Sequence, residues 1–171
     1  MIALTPRSPK LARMICAVVS LTLILCYFGA VPEGVFGAEV SQPFAAFNAK
    51  LDIDIEDGEI EVEATFTLGA GSNGLDLTTD MVSLQLTGGT GAYSVTMPAG
   101  SFKTERSGRF TFQGTINRVK VEASIRPLRG GAFELEAVFE RANLKGMANP
   151  VTVSLAIGDD GGSRAVRAKI E

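Results

Sequence analysis

The sequence predicts an all-β protein, an antiparallel β-sandwich or flattened barrel of about ten strands. The clearest sign is Leu51–Leu68, LDIDIEDGEIEVEATFTL. There Leu51, Ile53 and Ile55 alternate with Asp52, Asp54 and Glu56, and Ile60, Val62, Ala64, Phe66 and Leu68 alternate with Glu59, Glu61, Glu63, Thr65 and Thr67. Successive side chains of a strand point to opposite faces, so both halves read as half-buried strands with one apolar and one acidic face. Asp57-Gly58 between them supplies the chemistry of a two-residue hairpin turn. Similar alternating runs recur down the chain between Gly-, Asx- and Pro-rich breaks, and beyond Ala38 no window has the 3.6-residue period of a helix.

Residues 1–38 read as an export signal helix rather than as part of the fold. Arg7, Lys10 and Arg13 precede the uncharged, mostly apolar run Met14–Val31, and Pro32-Glu33-Gly34 ends it. A small-residue cleavage site fits after Gly37 or Ala38. The competing reading is an uncleaved anchor, although Met14–Val31 as a helix covers only roughly 27 Å at about 1.5 Å per residue. Leu23-Ile24-Leu25-Cys26 suits lipoprotein processing poorly, because Leu25 is bulky where a small residue is wanted. Both cysteines, Cys16 and Cys26, fall in this segment. Residues 39–171 therefore contain no thiol, and an exported single β-sandwich domain must be held together by its core alone.

The remaining elements follow in order. Ser41–Asn48 is a lead-in whose Phe44 or Phe47 plugs one end of the core. After the acidic hairpin, Gly69–Asp80 (GAGSNGLDLTTD) is aperiodic and reads as a surface loop crossing between sheets. Met81–Thr87 and Ala92–Met97 flank the turn Gly88–Gly91, with Val82, Leu84, Leu86, Tyr93, Val95 and Met97 inward. A short strand around Phe102 in Ser101–Glu105 precedes Arg109–Thr115, where Phe110 and Phe112 share a face and Gly114 marks a bulge or a close approach. Beyond the tight turn Ile116–Arg118, Val119, Val121, Ala123 and Ile125 line the next strand, which ends at Pro127. Phe133, Leu135, Ala137 and Phe139 line Ala132–Arg141. Ala142–Asn149 is a second irregular connection, Val151–Ile157 a strand, Gly158–Gly162 a turn, and Ser163–Ile170 the last strand.

The sequence also echoes itself. Ile60-Glu61-Val62-Glu63-Ala64-Thr65-Phe66 matches Phe133-Glu134-Leu135-Glu136-Ala137-Val138-Phe139, and Val82-Ser83-Leu84-Gln85-Leu86 matches Val151-Thr152-Val153-Ser154-Leu155 at nearly the same spacing. Order and spacing agreeing across two elements point to two duplicated four-strand units with the Ser101–Thr115 hairpin between them. Phe66-Thr67-Leu68-Gly69, the run Val95–Phe102, Phe110-Thr111-Phe112 and the ending from Val151 to Asp160 resemble a group of small exported bacterial β-rich proteins of no assigned activity. That resemblance implies fold and export, and it transfers no catalytic residue.

Composition excludes several chemistries. The 171 residues include no histidine and no tryptophan, which removes the commonest general base, the commonest zinc ligand and triads built on histidine. Residues 39–171 carry thirteen basic and eighteen acidic residues, and few aromatics are free to stack on bases, so nucleic acid is not an expected partner. The charges are segregated: Asp52, Asp54, Glu56, Asp57, Glu59, Glu61 and Glu63 crowd one hairpin, Lys50 is the only base between Glu39 and Gly100, and most basic residues follow. Like charges facing each other across a hairpin cost free energy unless cations lie nearby. Basic strands paired beside the hairpin, screening by salt, Ca²⁺, a cationic ligand and head-to-tail contact with another copy are the available resolutions. Asp159-Asp160-Gly161-Gly162-Ser163 and Asn73-Gly74-Leu75-Asp76 with Asp80 place oxygens in loops, but neither has an EF-hand spacing, and turn chemistry accounts for both. A carboxylate-based hydrolase needs a sheltered acid pair, whereas alternation puts nearly all carboxylates on solvated strand faces.

The sequence therefore points to an exported, disulfide-free, extracytoplasmic binding or surface-interaction module, not an enzyme, with no catalytic residue and no assigned cofactor or metal site, Ca²⁺ being the one ion left open. Its candidate interaction face is Asp52, Asp54, Glu56, Glu59, Glu61 and Glu63. Its expected partner is an extracytoplasmic ligand or protein, with homo-association as the structural alternative and membrane contact only through the N-terminal segment.

Overall fold

The computed structural model describes residues Gln42–Glu171, which lie within one compact unit, Phe36–Glu171. The expected signal helix and cleavage site, with both cysteines, lie outside the described residues. The strands are β1 (Gln42–Pro43), β2 (Ala46–Asp54), β3 (Glu59–Thr67), β4 (Val82–Gly88), β5 (Gly91–Met97), β6 (Lys103–Thr104), β7 (Phe110–Ile116), β8 (Val119–Pro127), β9 (Ala132–Glu140), β10 (Val151–Ile157), β11 (Asp160–Val166) and β12 (Lys169–Ile170). They number twelve rather than about ten because three two-residue strands lie along sheet edges. One sheet has five strands in the order β1-β11-β10-β4-β5, the other seven in the order β12-β2-β3-β9-β8-β7-β6. The sheets do not close into a barrel, and the arrangement is sandwich-like.

The apolar rows of both sheets supply one core. Leu51, Ile53, Ile60, Val62, Phe66, Val121, Leu135 and Phe139 come from the seven-stranded sheet, and Leu84, Val95, Val153 and Leu155 from the five-stranded one. Phe112 is half-buried and packs on the rim of this cluster against Phe102, ring centroids 5.7 Å apart. Phe44 and Phe47 also pack against the core, and Phe44 stacks on Phe66 at 4.7 Å. Both irregular connections cross between the sheets and send apolar residues inward: Leu77 from one, Leu144 and Met147 from the other.

Pairing joins like with like. β3 runs antiparallel to β9 with Ile60 opposite Phe139, Phe66 opposite Phe133 and Glu63 opposite Glu136 at the centre. β4 runs antiparallel to β10 with Leu84 opposite Leu155 and Gln85 opposite Ser154. Each central residue thus faces the residue it echoes in the sequence, so the two halves meet about a local two-fold relation in each sheet. The β4–β5 and β10–β11 turns correspond as well, with Gly89 at φ 60° and Gly158 at φ 58° in the left-handed region that favours glycine.

Three local expectations are corrected, and that at Gly114 resolves to a close approach. The first hairpin turn has four residues, Ile55–Gly58, because Asp54 pairs with Glu59 and its Oδ1 accepts the N–H groups of Glu56 (2.9 Å) and Asp57 (3.1 Å). Ile55 is thereby taken out of the inward row and left 41% exposed. β2 starts at Ala46, so the lead-in is shorter than Ser41–Asn48. No bulge interrupts β7: its register with β8 is continuous through Gly114, where a Cβ would come within 3.0 Å of the Phe112 ring. Ser163–Ile170 is two strands in different sheets. Between them the Asn149 side chain accepts from the Ala168 N–H (2.7 Å) and donates to the Ala168 C=O (2.8 Å), satisfying the backbone where it leaves one ladder for the other.

Phe139 is fully buried, pairs with Ile60 and meets the Tyr93 ring edge-on at 5.7 Å. Phe139→Ala is expected to cost about 3–5 kcal/mol in denaturant unfolding, and a loss under about 1 kcal/mol would show that the site collapses around the change. The Tyr93 hydroxyl has no hydrogen-bond partner among the described residues, and burial raises its pKa to about 12. Below pH about 10 the phenol is protonated in both states. Between pH about 10 and about 12 the unfolded chain releases the proton first, so stability should fall as pH rises through that window. Tyr93→Phe should be neutral or stabilising at pH 7 and should flatten the alkaline decline; an unchanged decline would assign it to other groups.

Candidate functional site

The outward side chains of the seven-stranded sheet form rows running across its strands. One row reads Lys169, Asp52, Glu61, Val138, Glu122, Gln113; the next reads Lys50, Glu63, Glu136, Ser124, Thr111, Lys103. Opposed Cβ atoms in such ladders lie about 4.5–5.5 Å apart. Asp52 against Glu61, Asp54 against Glu59, and Glu63 against Glu136 are therefore like-charge pairs. On its β3 side the acidic hairpin is flanked by β9, whose Glu134, Glu136 and Glu140 enlarge the acidic face, with the basic residues of β8 one strand further out; β12 with Lys169 flanks its β2 side.

Cations on this face are shared among the carboxylates. Lys50 Nζ lies 3.1 Å from Glu63 Oε2, and Arg109 lies 3.8 Å from Glu136 Oε2. Lys120 Nζ reaches Glu140 at 2.6 Å and Glu122 at 3.1 Å, and Arg126 pairs with Glu134. The bonds from Glu140 and then Glu122 raise the Lys120 pKa, while the Gln113 amide and then Lys120 lower that of Glu122. Lys169 bonds Glu171 at 2.7 Å, which raises its pKa, and the charges of Asp52 and Glu61 add to the effect. Exposed pairs of this kind contribute about 0–1 kcal/mol each. They fix the pattern of the face more than the stability of the fold.

Asp52, Asp54, Glu59 and Glu61 make no ion pair within 4.0 Å among the described residues. With Lys169 and Glu171 they line a shallow hollow of about 220 Å³. A larger polar groove of about 510 Å³ lies over β6–β9, where Lys103, Thr111, Gln113, Glu122, Ser124 and Glu136 contribute. Of the six acids singled out in the sequence, the structure places Asp52, Asp54, Glu59, Glu61 and Glu63 on this face, and Glu56 in the turn. Sequence reasoning missed the junction with Glu136 and the arrival of Lys169 beside Asp52. The echo between β3 and β9 was the available signal for the first, since it marks those strands as partners.

The Asp76 and Asp80 oxygens are engaged within their own loop, whereas Asp160 bonds a residue distant in sequence and its buried Oδ1 has no hydrogen-bond partner among the described residues. Asp76 Oδ1 accepts from the Thr78 N–H and hydroxyl, bonds that lower its pKa, and Asp80 Oδ2 accepts the Asp76 N–H at 3.0 Å. Asp160, the one buried charged residue among those described, accepts the Ser72 hydroxyl at 2.7 Å. The outward positions of the five-stranded sheet carry no charge: Gln85, Thr87, Ala92, Ser94, Thr96, Thr152, Ser154, Ser163 and Ala165 alternate with its inward rows, and Ser83, Ala156 and Gly161 on the same side are buried. The two outer faces thus differ completely in charge. No protein-family model, curated protein or solved structure matches the chain.

Proposed function

We propose that this is an exported, non-catalytic binding module that offers the outer face of its seven-stranded sheet to a cationic partner outside the cytoplasm, a chain segment rich in lysine or arginine. The observation that carries the reading is the hollow lined by Asp52, Asp54, Glu59 and Glu61, four carboxylates facing one another in pairs without a direct ion pair among the described residues. Ammonium or guanidinium groups seated there would relieve the like-charge repulsion and gain charge-assisted hydrogen bonds. The basic n-region and apolar run before Pro32 support export. The missing histidine and the solvation of the acidic pairs support a binding role over a hydrolytic one. The paired echoes, β3 with β9 and β4 with β10, support an internal duplication in which each unit gives one hairpin to each sheet.

The test is titration of the full-length protein with an octalysine peptide at low salt and at about 0.5 M salt, where the screening length falls to a few ångströms. Wild type should bind at low salt and weaken at least about tenfold at high salt. Combined Asp52→Asn, Asp54→Asn, Glu59→Gln and Glu61→Gln should weaken low-salt binding at least about tenfold while leaving the fold intact by circular dichroism. Equal binding by the variant would remove this face from the function.

A further inference from the structure

The five-stranded sheet has one edge on which no strand is laid. Elsewhere each edge carries a two-residue strand: β1 lies on β11, β12 on β2 and β6 on β7. β5 pairs only with β4 among the described residues. Gly88 and Gly91 close the two-residue turn Gly89-Thr90, so they form a hydrogen-bonded pair, and alternation makes Leu86–Tyr93, Leu84–Val95 and Val82–Met97 hydrogen-bonded pairs too. The N–H and C=O groups of Ala92, Ser94 and Thr96 therefore point away from β4, along the free edge. Their side chains are exposed on the outer face. Edges of this length are ordinarily blunted by charge, proline, a bulge or a covering segment. GAYSVTM has neither charge nor proline, and its register with β4 runs unbroken from Gly91 to Met97.

We propose that β5 is a self-association edge, where two copies pair β5 antiparallel to β5 about a two-fold axis near Ser94 and join their five-stranded sheets into one. Three features select a second copy. Pairing about Ser94 sets Ala92 of one copy against Thr96 of the other, so each copy's free N–H and C=O groups meet their complements, which makes the contact self-complementary and closed. The outward side chains brought together, Ala92, Ser94 and Thr96, are small and uncharged, whereas the opposite face of the molecule is acidic, so two copies of a net-negative chain meet here with least repulsion. The chain already uses this geometry internally, since β4 and β10 pair antiparallel with Gln85 opposite its echo Ser154. The surface is separate from the acidic face and does not depend on its role.

Sedimentation of the full-length protein, expressed with its own N-terminus, tests the pairing over a range of concentrations at low salt and at about 0.5 M salt. A reversible dimer that survives high salt is expected, because no charged contact holds it. Ser94→Lys should raise the dimer dissociation constant at least about tenfold by opposing two like charges across the axis. Ser94→Pro should do the same while removing no bond to β4, because the N–H at this position points outward. Amide exchange at Ala92, Ser94 and Thr96 should be fast in dilute solution and slow in concentrated solution. A wild type that stays monomeric to about millimolar concentration, a dimer indifferent to both variants, or protection of those amides in the dilute monomer would each overturn the proposal.

Discussion

The antiparallel pairing of β3 with β9 and of β4 with β10 is the constraint on which the rest of the fold depends. Those two ladders are where the echoing halves of the sequence touch, one in each sheet. The hairpins β2–β3 and β8–β9 then extend the larger sheet outward, and β4–β5 and β10–β11 build the smaller one. Because these ladders put Ile60 against Phe139 and Leu84 against Leu155, large buried side chains of each half sit on the strands through which the two halves join. A half alone would expose that inward row. The many long-range contacts this topology requires are the reason both halves must be present before the core gains from either.

Strand identity was legible in the sequence because alternation has a period of two and a register slip would turn every apolar residue to solvent. Leu51, Val62, Val121, Leu135 and Val153 are inward for that reason alone. The exceptions mark where alternation stops being the governing rule. Ile55 continues the pattern but belongs to a turn, since Asp54 captures the next two amides and forces a four-residue loop. Ser163–Ile170 reads as one strand, yet Asn149, distant in sequence, clasps Ala168 and lets the chain change sheets. Leu77, Leu144 and Met147 are buried from aperiodic loops, where no periodicity could announce them.

The acidic face was legible residue by residue but not as a surface. Alternation placed Asp52, Glu61 and Glu63 outward, whereas which strand lies beside them is decided by apolar packing on the opposite side of the sheet. On the β3 side that packing brings β9 rather than a basic strand, so Glu63 meets Glu136. Two unit charges at about 4 Å in water repel by only about 1 kcal/mol. Core burial of a single large side chain, at about 1.5–3 kcal/mol, outweighs that cost. The inward faces therefore set the strand order, and the outward faces accept the charges that result.

The same hierarchy explains why the molecule has two unlike surfaces. Nothing in the inward pattern of β4, β5, β10 and β11 demands that their outward residues be serine, threonine, alanine, glycine and glutamine, since lysine and glutamate are tolerated on the outward positions of β2, β3, β8 and β9. Alternation with a charged partner residue would have blunted the β5 edge at little energetic cost, as the Lys103–Thr104 and Lys169–Ile170 strands blunt the other sheet's edges. An open, uncharged edge is a hazard to any β-protein, because such an edge pairs with whatever strand it meets. That edge borders the uncharged face, opposite the face on which Asp52, Asp54, Glu59 and Glu61 lie without an ion pair among the described residues. The open backbone donors and acceptors thus lie on one side of the molecule, and the crowded carboxylates on the other.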